Sequence, residues 1–123
     1  MEFIKTEKAP KAIGPYSQAT IINNTIFVSG QIPFNVEKDI LETDIEIATF
    51  TSLSNVLSIV EEAGSSIEKI AKVNVFVKNI EDFDKINKIY ADFFKDHKPA
   101  RALVEVSRLP KNSVIEIEAI ATL

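Results

Sequence analysis

Three consecutive stretches, KIAKVNVFVKN (69–79), IEDFDKINKIYADFFKDH (80–97) and ALVEVSRL (102–109), set the layout of the chain. In the first, Val73, Val75 and Val77 alternate with other residues, the two-residue period of a strand. In the second, Phe83, Ile86, Tyr90, Phe93, Phe94 and His97 are spaced for one side of a helix over 80–97. Glu81 and Asp82 suit the positive end of its dipole, and Lys95 and Lys98 the negative end. Pro99 then breaks the pattern, and the third stretch returns to strand alternation.

Working outward, VIEIEAIATL (114–123) reads as a further strand, joined to 102–109 through Pro110-Lys111-Asn112-Ser113. Upstream, residues 44–63 carry a helical apolar face of Ile45, Ala48, Leu53, Val56, Leu57, Val60 and Ala63. Thr43 or Asp44 can cap its start, and Gly64 stands where a C′ glycine would stop it. ATIINNTIFVSG (19–30) is two β-rich runs around Asn23-Asn24, a two-residue hairpin turn, with Gly30 ending the second run. EFIKTE (2–7) reads as a short edge strand, and Gly14-Pro15 as a turn. The order of hairpin, helix, strand, helix, strand, strand predicts an α+β fold with both helices on one face of a single sheet. Apolar residues of both parities in 114–123 (Ile115, Ile117 and Ala119 against Ile120) leave the other sheet face partly apolar, which marks an interface and predicts a homo-oligomer.

The 123 residues fit one domain spanning 1–123, with 46% apolar and 26% charged residues, an ordinary globular mix. A net charge of −4 disfavours generic nucleic-acid binding. Absence of cysteine removes disulfides, thiolate metal sites and cysteine nucleophiles, and a single histidine, His97, removes a multi-histidine metal site. No cluster of metal ligands and no phosphate-binding glycine fingerprint stands out. The N-terminus lacks the apolar stretch of a signal peptide and no run has the length of a membrane span, so the expectation is a cytoplasmic protein.

Few residues stand out as carriers of chemistry. Arginine is scarce, two residues (Arg101 and Arg108) against twelve lysines. A guanidinium at the mouth of an apolar strand can hold a carboxylate through two parallel hydrogen bonds; a surface ion pair at a strand end is the plainer alternative. Glu116 and Glu118 interrupt an apolar strand on one face, where a carboxylate can hold water or move a proton, or can simply be solvated. Tyr16 and Ser17 follow the Gly-Pro turn, and Ser29-Gly30 close a strand where backbone can approach a ligand; each can equally be turn structure. No histidine partner supports a serine-hydrolase triad. Asn87 is a polar amide aligned with Phe83, Tyr90 and Phe94, able to contact a ligand or to cap a neighbouring loop. His97, near a helix end, reads as structural.

Six stretches in order, AIGPYSQA (12–19), VSGQIP (28–33), KVNVFVKNIEDFDKIN (72–87), YADFF (90–94), KPARALVEVSRLPKN (98–112) and IEIEAIA (115–121), resemble the reactive intermediate deaminase family, the YjgF or RidA family, across nearly the whole chain. Arg101 falls where the arginine that marks the RidA-type branch stands. The resemblance implies a chorismate-mutase-like fold, a mixed sheet with two helices on one face, assembled as a homotrimer with a barrel-like core and sites in clefts between subunits. It implies hydrolytic deamination of reactive 2-imino and enamine acids, such as 2-iminobutanoate and 2-iminopropanoate, to 2-keto acids and ammonia, with no cofactor and no metal. By the same resemblance Arg101 binds the substrate carboxylate and Glu116 transfers a proton or positions water. Tyr16, Ser29, Gly30 and Asn87 line the site. Leu103 stands where many relatives have cysteine, which excludes a thiol role, and His-Lys before Pro99 replaces an Asn-Phe or Thr-Phe of some members, altering the pocket wall. A 2-keto-acid-binding regulatory module and an endoribonuclease are the two alternatives within the same family.

Overall fold

The computed structural model describes residues 1–123. Six strands form one sheet: β1 (Glu2–Ile4), β2 (Ala19–Ile22), β3 (Thr25–Gln31), β6 (Ile70–Val77), β7 (Ala100–Glu105) and β8 (Ile115–Thr122), in the order β1-β2-β3-β8-β6-β7. Two short strands, β4 (Phe34–Asn35) and β5 (Ile40–Leu41), form a separate hairpin that the sequence pattern did not reveal. The helices are α1 (Ile45–Glu62) and α2 (Phe83–Phe94).

All pairs in the main sheet are antiparallel except β6 with β7, which run parallel because α2 carries the chain back between them. The sheet is therefore mixed. β8 inserts between β3 and β6 and lies at its centre. Its alternation is strict: Ile115, Ile117, Ala119 and Ala121 are buried under the helices, and Glu116, Glu118 and Ile120 take the opposite face. Val73, Val75 and Val77 of β6 share the buried face. Both helices lie on this face, α1 contributing Leu53, Val56, Ile59 and Val60 to the core and α2 contributing Ile86 and Phe94.

Local signals explain the boundaries. Asn23 and Asn24 both adopt positive φ, 49° and 59°, the geometry of a tight hairpin turn matched to strand twist. Asp44 rather than Thr43 caps α1, its Oδ2 accepting from the Ile47 amide at 3.1 Å. Gly64, at φ 92°, ends that helix as expected.

Three boundaries depart from the sequence reading. The second helix covers only Phe83–Phe94; Ile80–Asp82 form a 3-10 turn before it, with the Asn79 side chain accepting from Glu81 N, and Lys95 at φ 58° ends it without a glycine. His97 thus lies beyond the helix, its Nε2 2.7 Å from the Ile70 carbonyl. β7 spans Ala100–Glu105 rather than 102–109, so Arg101 lies within the strand and 106–109 lie beyond it. β3 runs through Gly30 to Gln31, with a register shift between Val28 and Gln31.

The helix-free face of the sheet is exposed. Phe27 and Val104 are 43% and 45% exposed on it, and Ile120 and Phe76 lie between them, half-buried. The apolar character expected of this face is thus present as two neighbouring pairs, Phe27 with Ile120 and Phe76 with Val104, set among Lys72, Asn74, Glu116 and Glu118.

Candidate functional site

Arg101 pairs in register with Val73, so its side chain leaves the sheet on the helix side. There it meets α2. Its Nη1 donates to Asn87 Oδ1 at 2.7 Å. Its guanidinium carbon lies 4.7 Å from the centre of the Tyr90 ring and 5.9 Å from that of Phe83. No carboxylate is paired with it: the one ion pair in the chain joins Lys88 to Glu46 at 3.9 Å. A surface ion pair is therefore not what holds Arg101; an amide and two rings do. Nε and Nη2 have no hydrogen-bond partner within the chain, and together they form the edge of the guanidinium that accepts a carboxylate side-on. A cavity of about 340 Å³ adjoins this cluster, lined in part by Asn87, Tyr90, Phe94, His97, Lys98 and Arg101. No acidic residue lines it. Burial pushes the Tyr90 phenol up to about 12 against the opposing pull of Arg101, so it stays protonated at any physiological pH.

Leu103, two residues further along β7, points the same way and packs against the core. Its side chain is taken up in packing, which leaves the backbone of this edge strand as what it can offer a ligand.

Glu116 pairs in register with Phe76, so it leaves the sheet on the helix-free face. Its side chain crosses to β3 and fills the space beside Gly30: a Cβ there would stand 2.8 Å from both Cδ and Oε1 of Glu116. The absence of a side chain at Gly30 thus leaves room for the Glu116 carboxylate, while its φ makes no demand for glycine. Desolvation raises the Glu116 carboxyl above its ordinary 4.5, and the neighbouring Glu118 raises it further. Glu118 itself is tied down, accepting from Asn74 Nδ2 at 3.0 Å.

Next to Gly30, Ser29 donates its hydroxyl to the Ser17 carbonyl at 2.6 Å, and its amide donates to the Gln18 carbonyl at 2.9 Å. These bonds fasten the loop after the Gly-Pro turn to β3. Gly14 supplies φ 138° in that loop, and Tyr16, 52% exposed, accepts from the Ile13 amide through its hydroxyl at 3.3 Å. Tyr16 and Ser17 line a cleft of about 440 Å³ with residues of β1 and the segment after it.

The sequence-derived residues therefore fall into two groups. Arg101, Asn87 and Leu103 gather on the helix side of β7. Glu116, Gly30, Ser29 and Tyr16 gather around β3 and the helix-free face. The chain does not bring the two groups together. No three histidine, aspartate or glutamate side chains converge as metal ligands.

Comparison with known proteins agrees with this arrangement of elements. The family profile described as Endoribonuclease L-PSP matches residues 6–123. A RutC family protein of Pyrococcus abyssi is 52% identical over 121 residues, covering 98% of this chain and 95% of that protein. The 2-iminobutanoate/2-iminopropanoate deaminase of Escherichia coli is 49% identical over 121 residues, covering 96% and 94%. The crystal structure of the Escherichia coli YjgF gene product superposes with a TM-score of 0.95 at 47% identity, covering 99% of this chain and 98% of that one. The chain belongs to the YjgF/RidA family.

Three residues of this YjgF/RidA chain escaped sequence reasoning as parts of the site's frame. Gln18 is buried, its Oε1 accepting from Thr6 N at 2.7 Å and its Nε2 donating to the carbonyls of Thr6 and Pro10 at 3.0 and 2.8 Å. It thereby fixes the N-terminal segment against the loop that carries Tyr16. Asn55, buried on α1, donates to the carbonyls of Ile32 and Phe34 at 3.2 and 2.9 Å and holds the segment after Gly30. The sequence aligns Tyr90 with Asn87 on one side of α2 but does not single it out as a partner of Arg101. Its spacing of three from Asn87 was the available signal that both could address one partner.

Proposed function

We propose that the chain is a deaminase of the RidA type that hydrolyses 2-imino acids, with 2-iminobutanoate and 2-iminopropanoate as substrates. It works in the cytoplasm as a homotrimer, with residues 1–123 acting as one unit. In each cleft the Arg101 group of one subunit faces the Glu116 group of its neighbour. The observation that carries this reading is the guanidinium of Arg101, held by neutral partners only and left with a free edge. A chain of net charge −4 that keeps a half-buried arginine without a counter-ion has a place for a small anion. The exposed apolar sheet face supports assembly, and assembly would join two half-sites that one chain keeps apart.

Mechanistically, Arg101 holds the carboxylate and fixes the distance to the imine carbon. Glu116 accepts a proton from water as its oxygen bonds to that carbon, and the C=N π pair passes to nitrogen, which is protonated. Glu116 then returns its proton to the amine of the tetrahedral carbinolamine; the C–N bond breaks as the hydroxyl oxygen forms the C=O bond, and the hydroxyl proton leaves with the ammonia as ammonium, giving the 2-keto acid. A protonated imine is already electrophilic, so orientation and proton transfer suffice, without metal or cofactor. This chemistry would clear reactive enamine and imine species.

The test is a coupled assay in which an amino-acid oxidase or threonine dehydratase makes the imine while semicarbazide competes for it. Wild-type protein should lower semicarbazone formation, and Arg101→Ala should not. No effect of folded wild-type protein across several imino acids would overturn the proposal in favour of a keto-acid-binding module.

A further inference from the structure

Within the Arg101 cluster, Tyr90 is the residue whose polar atom the chain leaves unused. Its hydroxyl is buried and has no hydrogen-bond partner. Its ring is not loose. One contact is Phe94, with centroids 4.7 Å apart and planes inclined by 44°, and the other is the guanidinium of Arg101 at 4.7 Å. Phe94 in turn is 5% exposed and packs on Phe93 and His97. The Tyr90 ring is therefore backed by fixed core material, and Arg101 rests on it.

Phe83, Asn87 and Tyr90 follow one another at spacings of four and three along α2, which places them on one stripe of the helix. That stripe restrains Arg101 in two independent ways. Asn87 accepts from Nη1 and fixes how the guanidinium is turned within its own plane. The Tyr90 ring, its centre 4.7 Å from the guanidinium carbon, backs the cation on one side and restrains how far its plane can swing. A carboxylate bound side-on must lie in the guanidinium plane, so the tilt decides where the bound acid points. A free arginine has several rotatable bonds to lose on binding; one already seated has fewer.

We propose that Tyr90 is a positioning residue of the anion site, its ring presetting the Arg101 guanidinium for the carboxylate of a 2-imino or 2-oxo acid. The identity of the acid rests on the deaminase reading; the presetting of the arginine does not. The ring does this work and the hydroxyl does not, since the hydroxyl touches neither Asn87 nor Arg101 by any hydrogen bond.

The experiment measures the affinity of 2-oxobutanoate by calorimetry, together with KM and kcat for imine hydrolysis, in wild type, Tyr90→Phe, Tyr90→Leu and Tyr90→Met. Tyr90→Phe should match wild type in all three quantities. Tyr90→Leu should weaken 2-oxobutanoate binding and raise KM by about two- to thirtyfold, the range of one cation–ring contact, with kcat little changed. Tyr90→Met fills the same space with a flexible chain and carries the same expectation should the leucine variant fold poorly. An unchanged affinity in both aliphatic variants overturns the proposal. So does a Tyr90→Phe as weak as Tyr90→Leu, which would mean that the hydroxyl meets the ligand directly. Wild-type protein that binds 2-oxobutanoate but hydrolyses no imine overturns the deaminase reading alone, and Tyr90 is then judged on affinity. Wild-type protein that neither binds a 2-oxo acid nor hydrolyses an imine overturns both, and one that hydrolyses imine without measurable 2-oxo acid binding leaves Tyr90 to be judged on KM.

Discussion

Arg101 stands opposite Val73 across the parallel β6–β7 pair and Glu116 stands opposite Phe76 across the antiparallel β6–β8 pair, so the two side chains leave one sheet from opposite faces. No rotamer change carries either around the sheet. A reaction that needs both therefore needs two chains. In a cyclic trimer each cleft would take Arg101 from one subunit and Glu116 from the next.

This separation predicts complementation. Arg101→Ala and Glu116→Gln, each strongly impaired alone, should regain activity when unfolded together in equal amounts and refolded. A cleft is intact when its arginine comes from the Glu116→Gln chain and its glutamate from the Arg101→Ala chain, so random mixing restores about a quarter of the wild-type rate. Imine hydrolysis by the refolded mixture is the measurement. A mixture no more active than its components would place both residues in one chain's site or neither in any.

Arg101→Lys keeps the charge and loses the planar fork. Its single nitrogen also cannot serve Asn87 and a side-on carboxylate together as the guanidinium fork can. The value of kcat/KM should fall by about a hundredfold, the size of losing charge-assisted hydrogen bonds to one ligand, while the oligomer and melting temperature stay near wild type. Steady-state kinetics beside light scattering would separate an anion-site loss from a folding loss.

The raised Glu116 carboxyl gives a pH dependence with a definite sign. A carboxyl whose folded value exceeds its unfolded one binds protons more tightly when folded, so stability declines as pH rises from the ordinary 4.5 through the folded value. Glu116→Gln removes that decline: the variant should melt above wild type at pH 7 and match it in acid. Activity runs the other way. If Glu116 accepts the water proton, wild-type kcat/KM falls as pH drops through its folded value, and the residual rate of the glutamine variant shows no such limb.

Strand parity was legible in the sequence, and so was most of the fold. Asn23-Asn24, the cap at Asp44 and the stop at Gly64 each have a local cause, and each acts where that cause predicts. What failed had no local cause. Lys95 ends α2 at positive φ with a side chain that ordinarily avoids it, and β4 and β5 are two residues each, too short for any period. The candidate residues could be singled out one by one from the sequence, but their division between two faces could not. Parity assigns Arg101 and Glu116 to faces only once register is known, and register is set by pairing between strands far apart in the chain. Gln18 and Asn55 were missed for a related reason: a buried amide looks like a surface one until the carbonyls it serves are in place.

Gly30 offers the sharpest test of how Glu116 is held. A methyl group at position 30 would stand 2.8 Å from Cδ and Oε1 of Glu116 and 3.1 Å from its Cγ, closer than such contacts permit. Gly30 itself lies in the register shift of β3, but Ser29 before it is bonded to the Gln18 carbonyl and Gln31 after it pairs with Ile117, which limits what the backbone can yield. The Glu116 side chain is the flexible partner, so it is what moves, by rotation away from β3. Fold stability should therefore change by no more than about 1 kcal/mol, at the mild end of overpacking. Turnover should fall far more, by about the hundredfold or more that follows loss of a placed general base. Affinity for 2-oxobutanoate, which belongs to the Arg101 side, should survive. Gly30→Ala that melts like wild type, binds the keto acid and turns over imine slowly would tie the loss to the position of one carboxylate. Full activity in that variant would remove Glu116 from the proton-transfer role.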